Sequence, residues 1–272
     1  MDLSLHFTPS GPRWAAAGYF LSPGFDLAYL LGRPSEEGPA VLAEHQTPEP
    51  VEGALLAPID PHQEVWASGV TYLRSRVARE AESATADIYS KVYDADRPEL
   101  FFKTLGWRVI APGGTIRVRA DSNWNVPEPE LVLLLDLEGK IRGYTAGNDV
   151  SSREIEGENP LYLPQAKVYN GSCALGPVIR LIDDPAELRD LSIQLEIERE
   201  GKRVFEGETG TKLMKRSFGE LASYLFRELH FPDGAFLLTG TGIVPAEPYT
   251  LLPGDTVRVI VSDLVLENQT GA

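Results

Sequence analysis

The chain has 272 residues, of which 43% are apolar and 24% are charged, a composition typical of a folded globular protein. Its 40 acidic residues outnumber its 25 basic ones, which gives a formal net charge of −15 at pH 7. Nucleic acids and anionic membrane surfaces carry negative charge themselves, so this balance argues against both as partners. The chain has one cysteine and four histidines, which exclude an internal disulfide and disfavour zinc and iron–sulfur sites. A bound metal would therefore be held by carboxylates.

No apolar run is long enough to cross a bilayer, and the first residues lack the basic stretch of a signal peptide. We therefore expect a cytoplasmic protein without a membrane partner.

The chain divides at a proline-rich joint. Residues 1–60 alternate short apolar runs with Gly, Pro and Ser, which predicts a small N-terminal domain with several strands. Pro58 and Pro61 hold the residues before them in extended conformations, so the joint falls there. Residues 61–272 then form the larger, catalytic domain. Within it, the stretch 72–83 is rich in Arg, Glu and Ala and predicts a surface helix, either a mobile cover over a site or a static element.

Strand signals outnumber helix signals in the rest of the chain. Residues 131–135 form an apolar run that predicts a strand buried on both faces, and Glu138-Gly139 is a candidate two-residue hairpin turn. Ser217 and Glu220 have the spacing of a capping box, before a helix whose apolar spacing continues to Leu229. Further strands are predicted at residues 191–197, 203–205, 235–239 and 257–261. The pattern favours an α+β, strand-rich fold, because strands and helices do not alternate.

The most chemically suggestive stretch is Val-Pro-Glu-Pro-Glu at residues 126–130. Extended geometry before each proline makes Glu128 and Glu130 project to one side, where like charges repel unless a cation or a proton lies between them. A two-residue turn at 138–139 places Asp149 opposite Glu128, and a three-residue turn centred on Gly139 places it opposite Pro129. In either register Asp149 lies within roughly 5–8 Å of both glutamates.

Three carboxylates without a nearby histidine or cysteine suit a hard divalent cation. Mg²⁺ is the first candidate, with Mn²⁺ or Ca²⁺ as alternatives. The competing interpretation is a set of solvated carboxylates at strand ends, which an acidic chain contains in number.

Several motifs around these carboxylates resemble the fumarylacetoacetate hydrolase family. The matching segments are residues 127–131, 143–145, 148–153, Lys167, 173–177 and 239–242, and together they cover residues 64 to 262. The resemblance implies a mixed β-sandwich roll behind a small N-terminal domain, commonly as a homodimer. It also implies Mg²⁺ or Ca²⁺ on Glu128, Glu130 and Asp149, and a substrate near Lys167, Arg153 and Thr241.

Two departures distinguish this chain from the C–C bond hydrolases of that family. Those enzymes usually carry a Gly-x-Asn-Tyr segment followed by a catalytic histidine, whereas this chain has residues 69–72 as Gly-Val-Thr-Tyr and Ser75 at the histidine position. The hydrolase proper also has a glutamine where this chain has Glu156. Segments 97–103 and 158–165 resemble instead the members that dehydrate sugar acids.

The resulting hypothesis is a Mg²⁺-dependent dehydratase acting on a small anionic 2-keto-3-deoxy sugar acid through a metal-stabilised enolate. A pentonate substrate would give 2,5-dioxopentanoate. Lys167 is a candidate base or a fixed cation, and Glu99 and Glu156 are the other acid–base candidates. The candidate substrate-binding residues are Arg153, Thr241, Arg74 and Tyr72. The alternatives are a C–C hydrolase of acylpyruvate type, a 2-oxoacid decarboxylase or tautomerase, and an inactive relative that only binds metal and oxoacid.

Overall fold

The computed structural model describes residues 1–82, 86–245 and 249–272. In these ranges the strands are β1 (Asp2–Thr8), β2 (Gly11–Ala16), β3 (Tyr19–Leu21), β4 (Gln46–Pro50), β5 (Leu55–Leu56), β6 (Glu64–Gly69), β7 (Glu99–Leu105), β8 (Thr115–Arg117), β9 (Asn125–Val126), β10 (Pro129–Leu135), β11 (Ile141–Asp149), β12 (Ser151–Ser152), β13 (Cys173–Leu181), β14 (Ser192–Arg199), β15 (Lys202–Gly210), β16 (Ala235–Leu238), β17 (Thr256–Val261) and β18 (Leu264–Gly271). The helices are α1 (Leu27–Leu31), α2 (Gly38–His45), α3 (Leu73–Glu82), α4 (Ala86–Asp94), α5 (Arg153–Glu158), α6 (Leu163–Lys167) and α7 (Phe218–Leu225). The last residue of the predicted helix 72–83 lies outside the described residues.

The larger of the two main sheets contains eleven strands. Its order is β4-β3-β2-β1-β13-β11-β10-β16-β6-β7, and β5 pairs with β1. The N-terminal strands join this sheet through the β1–β13 pair, in which Leu3 lies opposite Ile179. A separate N-terminal domain ending at residue 60 stays a prediction.

The second sheet packs five strands, β15-β14-β17-β18-β8, against one face of the larger sheet. All seven residues of β10 are buried. Leu131, Leu133 and Leu135 belong to the core between the two sheets, whereas Val132 and Leu134 belong to the core shared with the N-terminal strands and helices. The predicted doubly buried strand is confirmed, and so is the strand-rich α+β class.

The β10–β11 hairpin sets the register of the acidic segment. Glu130 lies opposite Gly147, and the Asp149 N–H donates a hydrogen bond to the Glu128 carbonyl at 3.0 Å. Asp149 therefore lies opposite Glu128, which is one of the two predicted registers.

The predicted two-residue turn is wrong. The Asp136 N–H donates to the Lys140 carbonyl at 2.9 Å, so the loop contains the three residues 137–139. This loop forms because the Asp136 carboxylate accepts hydrogen bonds from the N–H groups of Glu138 and Lys140, at 3.0 and 2.9 Å. A bulge between Leu134 and Leu135 then shifts the pairing by one residue and restores the register at the acidic end.

Most of the other predicted elements are present. The surface helix is α3, and the predicted strands at 191–197, 203–205, 235–239 and 257–261 correspond to β14 to β17. Ser217 caps α7 by accepting a hydrogen bond from the Glu220 N–H at 3.2 Å. This helix ends at Leu225 rather than Leu229, because Phe226 leaves helical geometry and packs its ring 4.8 Å from that of Phe231. Within the described ranges, no helix combines the length and apolar character needed to span a membrane.

Candidate active site

Three buried carboxylates meet where β10 begins and β11 ends. Glu128, Glu130 and Asp149 are 4%, 0% and 1% exposed, and one oxygen of each lies within 4.8 Å of the others. The two glutamates share a side of the chain because Pro127 and Pro129 hold the segment extended, and the hairpin returns Asp149 beside them. The structure thus brings together the three residues predicted as metal ligands.

In two of these carboxylates, Glu128 and Asp149, one oxygen forms an ion pair with a basic side chain. Arg153, which is 1% exposed, places Nη2 3.0 Å from Glu128 Oε1. Lys103, which is fully buried, forms an ion pair with Asp149 Oδ1. Each of these ion pairs fixes the orientation of its carboxylate.

Glu130 is held by a main-chain donor. The Gly240 N–H donates a hydrogen bond to Glu130 Oε2 at 2.5 Å. Gly240 has φ +90°, and a Cβ there would lie 2.1 Å from the Thr71 hydroxyl oxygen, so glycine is required at this position. The other oxygen, Oε1, is buried and has no hydrogen-bond partner among the described residues.

Burial, together with the charges of Asp149 and Glu128, raises the pKa of Glu130 well above its usual range. One oxygen of Glu130 thus lacks a hydrogen-bond donor among the described residues, and two further carboxylates lie beside it. A hard divalent cation prefers such a set of oxygen ligands. The residues therefore fit the predicted metal.

Lys167 lies at the C-terminal end of α6 and closes the cluster. Its Nζ donates to Glu128 Oε2 at 2.9 Å, to Asp149 Oδ2 at 3.0 Å and to the Ser151 hydroxyl at 2.7 Å. These oxygens of Glu128 and Asp149 are the ones that Arg153 and Lys103 do not contact. These three contacts match the three N–H donors of a lysine ammonium group.

Seven buried ionisable side chains meet at the site. Four carboxylates and three basic side chains among the described residues are at most 4% exposed. These residues are Glu128, Glu130, Asp149 and Glu156 on the acidic side, and Lys103, Arg153 and Lys167 on the basic side.

A small cavity lies next to the carboxylates. It is lined by Ser68, Gly69, Val70, Ser75, Glu99, Phe101, Glu128, Glu156, Lys167 and Thr241. The predicted acid–base candidates Glu99, Glu156 and Lys167 therefore face the same space. Ser75, at the position of the hydrolases' histidine, donates its hydroxyl to the Tyr72 carbonyl at 2.8 Å.

The predicted substrate-binding residues Arg153, Thr241 and Tyr72 make different contacts in the structure. Arg153 contacts Glu128 and also Glu156, at 3.5 Å, so it orients the carboxylates. The Thr241 hydroxyl lies at the cavity and bonds the main chain of Ile243 at 3.1 Å. The Tyr72 hydroxyl is buried with no hydrogen-bond partner among the described residues. Burial and the charge of Glu130 raise the pKa of Tyr72 above its ordinary value.

Arg74 is not brought to the cluster. Its side chain is exposed on α3, and it is not among the described residues that line the small cavity. A role for Arg74 in substrate binding stays a prediction.

Sequence reasoning missed Lys103, Ser151 and Gly240. Lys103 ends segment 97–103, which resembles members of the family, and its signal is a lone lysine after the apolar residues 100–102 of a strand. A charged side chain in such a strand is buried only when it is paired. Gly240 lies in the matching segment 239–242, but the segment did not indicate its role, which is to bring a main-chain N–H close to Glu130.

A larger cleft of about 1140 Å³ lies at the opposite end of the β10–β11 hairpin, around the loop 137–139. Its lining includes none of the three clustered carboxylates. We place the chemistry at the small cavity, because the buried ionisable groups converge there.

Comparison with known proteins gives the chain its family. The family described as fumarylacetoacetate (FAA) hydrolase C-terminal matches residues 64–270. A probable 2-keto-3-deoxyxylonate dehydratase of Haloferax volcanii is 50% identical over 214 residues, which are 79% of this chain and 73% of that protein. The 2-dehydro-3-deoxy-D-arabinonate dehydratase of Saccharolobus solfataricus is 48% identical over 214 residues, 77% of this chain and 72% of that protein.

A solved structure agrees over the full length. It is a 2-keto-3-deoxy-D-arabinonate dehydratase complexed with magnesium and 2,5-dioxopentanoate, with a TM-score of 0.81 and 36% identity, and the match covers 100% of this chain and 99% of that one. The resemblance seen in the motifs is thereby confirmed: the chain belongs to the fumarylacetoacetate hydrolase family.

Proposed function

We propose that the protein is a dehydratase that removes water from a 2-keto-3-deoxy pentonate and yields 2,5-dioxopentanoate. The observation that carries the proposal is the buried cluster of Glu128, Glu130 and Asp149 beside Lys167. The names of the two relatives at 50% and 48% identity, and the ligands of the matching structure, support the same reaction. Ser75 at the histidine position disfavours the hydrolytic alternative, since a serine bonded to a carbonyl is a poor activator of water.

Glu128, Glu130 and Asp149 would hold a divalent cation, Mg²⁺ first, with Mn²⁺ or Ca²⁺ as alternatives. Bound there, the cation would polarise the 2-oxo group of the substrate and acidify the protons on C3.

Lys167 supplies fixed positive charge in this proposal. Its ammonium form cannot accept a proton, so of the two predicted roles, base and fixed cation, we favour the second. Next to the cavity, this charge would stabilise negative charge that develops on the 2-oxo oxygen when the C3 proton leaves.

In this proposal Glu156 and Glu99 each carry out one proton transfer. Arg153 lies 3.5 Å from Glu156 and orients its carboxylate at the cavity, so we assign Glu156 as the base that takes the C3 proton. Glu99 would give a proton to the C4 hydroxyl, which leaves as water when the C4–O bond breaks. The product still carries a hydroxyl on C5. Loss of one proton from C5 and of the proton on the C5 hydroxyl, with return of one proton to C3 and one to C4, converts it to the C5 aldehyde.

Product identification tests the reaction. The Mg²⁺-loaded protein should convert a 2-keto-3-deoxy pentonate to 2,5-dioxopentanoate, followed by NMR, and should be less active on hexonates and acylpyruvates. Release of pyruvate and a second acid from acylpyruvates, with no dehydrated product from any pentonate, would overturn the assignment.

Calorimetry tests the metal site. Glu128→Ala and Asp149→Ala should lose most of their Mg²⁺ affinity, because each removes one ligand carboxylate. Glu208→Ala is the matched control, since Glu208 is exposed on β15. Wild-type affinity in both ligand variants would exclude this cluster as the site.

The remaining assignments are also part of the proposal. Tyr72 and Thr241, at or next to the cavity, would contact the small anionic oxoacid, and Arg153 would act on it through Glu128 and Glu156. The homodimer and the cytoplasmic location follow from the resemblance and the sequence, and light scattering of the purified protein tests the first.

A further inference from the structure

A buried lysine from the edge strand β7 contacts the carboxylate cluster and is not among the described residues that line the cavity. Lys103 is 0% exposed. Its Nζ donates to the Val150 carbonyl at 3.1 Å and to the Lys167 carbonyl at 2.5 Å, and it forms an ion pair with Asp149 Oδ1. An ammonium group has three N–H donors, and three oxygens surround this one.

The three oxygens belong to the parts of the chain that carry the chemistry. Asp149 is one of the clustered carboxylates, and the Lys167 carbonyl is the last of α6, where a cation is favourable. Lys103 thus contacts the side chain of one functional residue and the main chain of another. The functional contact between those two, Lys167 Nζ to Asp149 Oδ2, measures 3.0 Å.

Lys103 also decides which oxygen of Asp149 remains for other partners. Because Oδ1 pairs with Lys103, Oδ2 is the oxygen that contacts Lys167. Lys103 does not line the small cavity among the described residues, so it acts on the site through its neighbours.

We infer that Lys103 is a positioning residue of the dehydratase reaction, an inference that rests on the proposed function. It fixes Asp149 so that only Oδ2 is presented to a divalent cation, and it fixes the main chain of Lys167 so that its ammonium stays beside Glu128 and Asp149. Groups that orient metal ligands in this way typically contribute about 10- to 100-fold in metal affinity or activity.

The test replaces Lys103 by methionine, which keeps much of the length of the side chain and removes the charge. Lys103→Met should bind Mg²⁺ roughly 10- to 100-fold more weakly in calorimetry and should lose a similar factor in kcat. Its KM should change less, because Lys103 does not reach the cavity. Lys140→Met is the matched control, since the Lys140 side chain is 72% exposed.

A double-mutant cycle separates positioning from a general loss of structure. In an Asp149→Asn background, Lys103→Met should change Mg²⁺ affinity by less than about threefold, because the carboxylate that Lys103 orients is gone. A merely structural lysine would weaken binding equally in both backgrounds. Should Lys103→Met fail to fold, Lys103→Gln replaces it in the same cycle, since its amide retains N–H donors for the two carbonyls.

Two failures are distinguishable. Mg²⁺ binding by Lys103→Met and Lys103→Gln within twofold of wild type, with kcat retained, overturns the inference and leaves the proposed function standing. A wild-type protein that binds no Mg²⁺ overturns the metal site of the proposed function, and this inference with it.

Discussion

The carboxylates of the cluster are oriented before any ligand arrives. Arg153, Lys103 and the Gly240 N–H each hold one oxygen of a different carboxylate. Of the oxygens that remain, Glu128 Oε2 and Asp149 Oδ2 accept hydrogen bonds from Lys167, and Glu130 Oε1 has no hydrogen-bond partner among the described residues. Such an arrangement persists because the surrounding donors fix it, and it is most favourable when a cation is added.

The position of the Glu99 side chain depends on the residue opposite to it in the sheet. Gly69 pairs with Glu99 across β6 and β7, and a Cβ at Gly69 would lie 2.0 Å from Glu99 Oε2. Gly69→Ala should therefore displace the flexible Glu99 carboxylate with little effect on the fold. We expect kcat to fall roughly 10- to 100-fold, given that a positioned acid–base group contributes about 10²–10⁴.

The comparison needs steady-state kinetics and thermal unfolding of the same samples. Gly24→Ala is the matched control, since no heavy atom lies within 4 Å of a Cβ built there. Unchanged kcat in Gly69→Ala would remove Glu99 from the proposed acid–base pair.

At the scale of the element, the β10–β11 hairpin delivers the site. Its register is fixed by burial on both faces, because a slip by one residue would turn Glu130 toward the core between the sheets. The register at the acidic end was predictable from the sequence. The three-residue loop was not, because the carboxylate of Asp136 stabilises it through two local hydrogen bonds that apolar patterning does not reveal.

Side chains from three neighbouring strands pack closely around Gly147 of this hairpin. A Cβ there would lie 2.4 Å from Val132 Cγ2, 2.9 Å from Leu238 Cδ2 and 3.1 Å from Leu175 Cδ2. Gly147→Ala should lower the free energy of unfolding by about 1–3 kcal/mol through overpacking, measured by urea titration.

A second substitution tests that cause. Val132→Ala removes the closest methyl group, so the double variant Val132→Ala/Gly147→Ala should lose at least about 0.5 kcal/mol less than the two single losses combined. Strictly additive losses would mean that the glycine is needed for another reason.

At the scale of the whole molecule, the N-terminal strands and the strands of the matched family region share one sheet. The sequence predicts a joint at Pro58 and Pro61, and it could not show this pairing, because β1 and β13 are separated by more than 150 residues. Two of the donors to the carboxylates were missed for the same reason. Lys103 and Gly240 lie on elements distant in the chain, whereas the Glu-x-Glu pair and Asp149 form one local hairpin.

Asp60, at the joint, makes the stability of the molecule depend on pH. Burial and the charges of Asp26 and Asp233 raise the pKa of Asp60 to about 6. Since this value exceeds the ordinary one near 4, the folded chain holds the proton more tightly than the unfolded chain. The stabilisation that the protonated Asp60 carboxyl contributes is complete below about pH 4 and is lost as the pH rises through 6.

Asp60→Asn should therefore be more stable than wild type at pH 7.5, by about 1–3 kcal/mol, and equally stable near pH 4. Urea unfolding at both pH values measures the difference. Asp183→Asn, at an exposed aspartate, should show no such divergence. A wild-type advantage at pH 7.5 would contradict the assigned sign.

The parallel pairing of β6 with β16 has a consequence for how the protein is made. The two strands end at the same edge, where the Thr71 hydroxyl donates to the Thr239 carbonyl at 2.7 Å and the Gly240 N–H reaches Glu130. Gly240 follows Glu130 by 110 positions. A nascent chain on the ribosome therefore exposes its acidic hairpin well before the donor that orients Glu130 has been synthesised, and the complete site is a late product of translation.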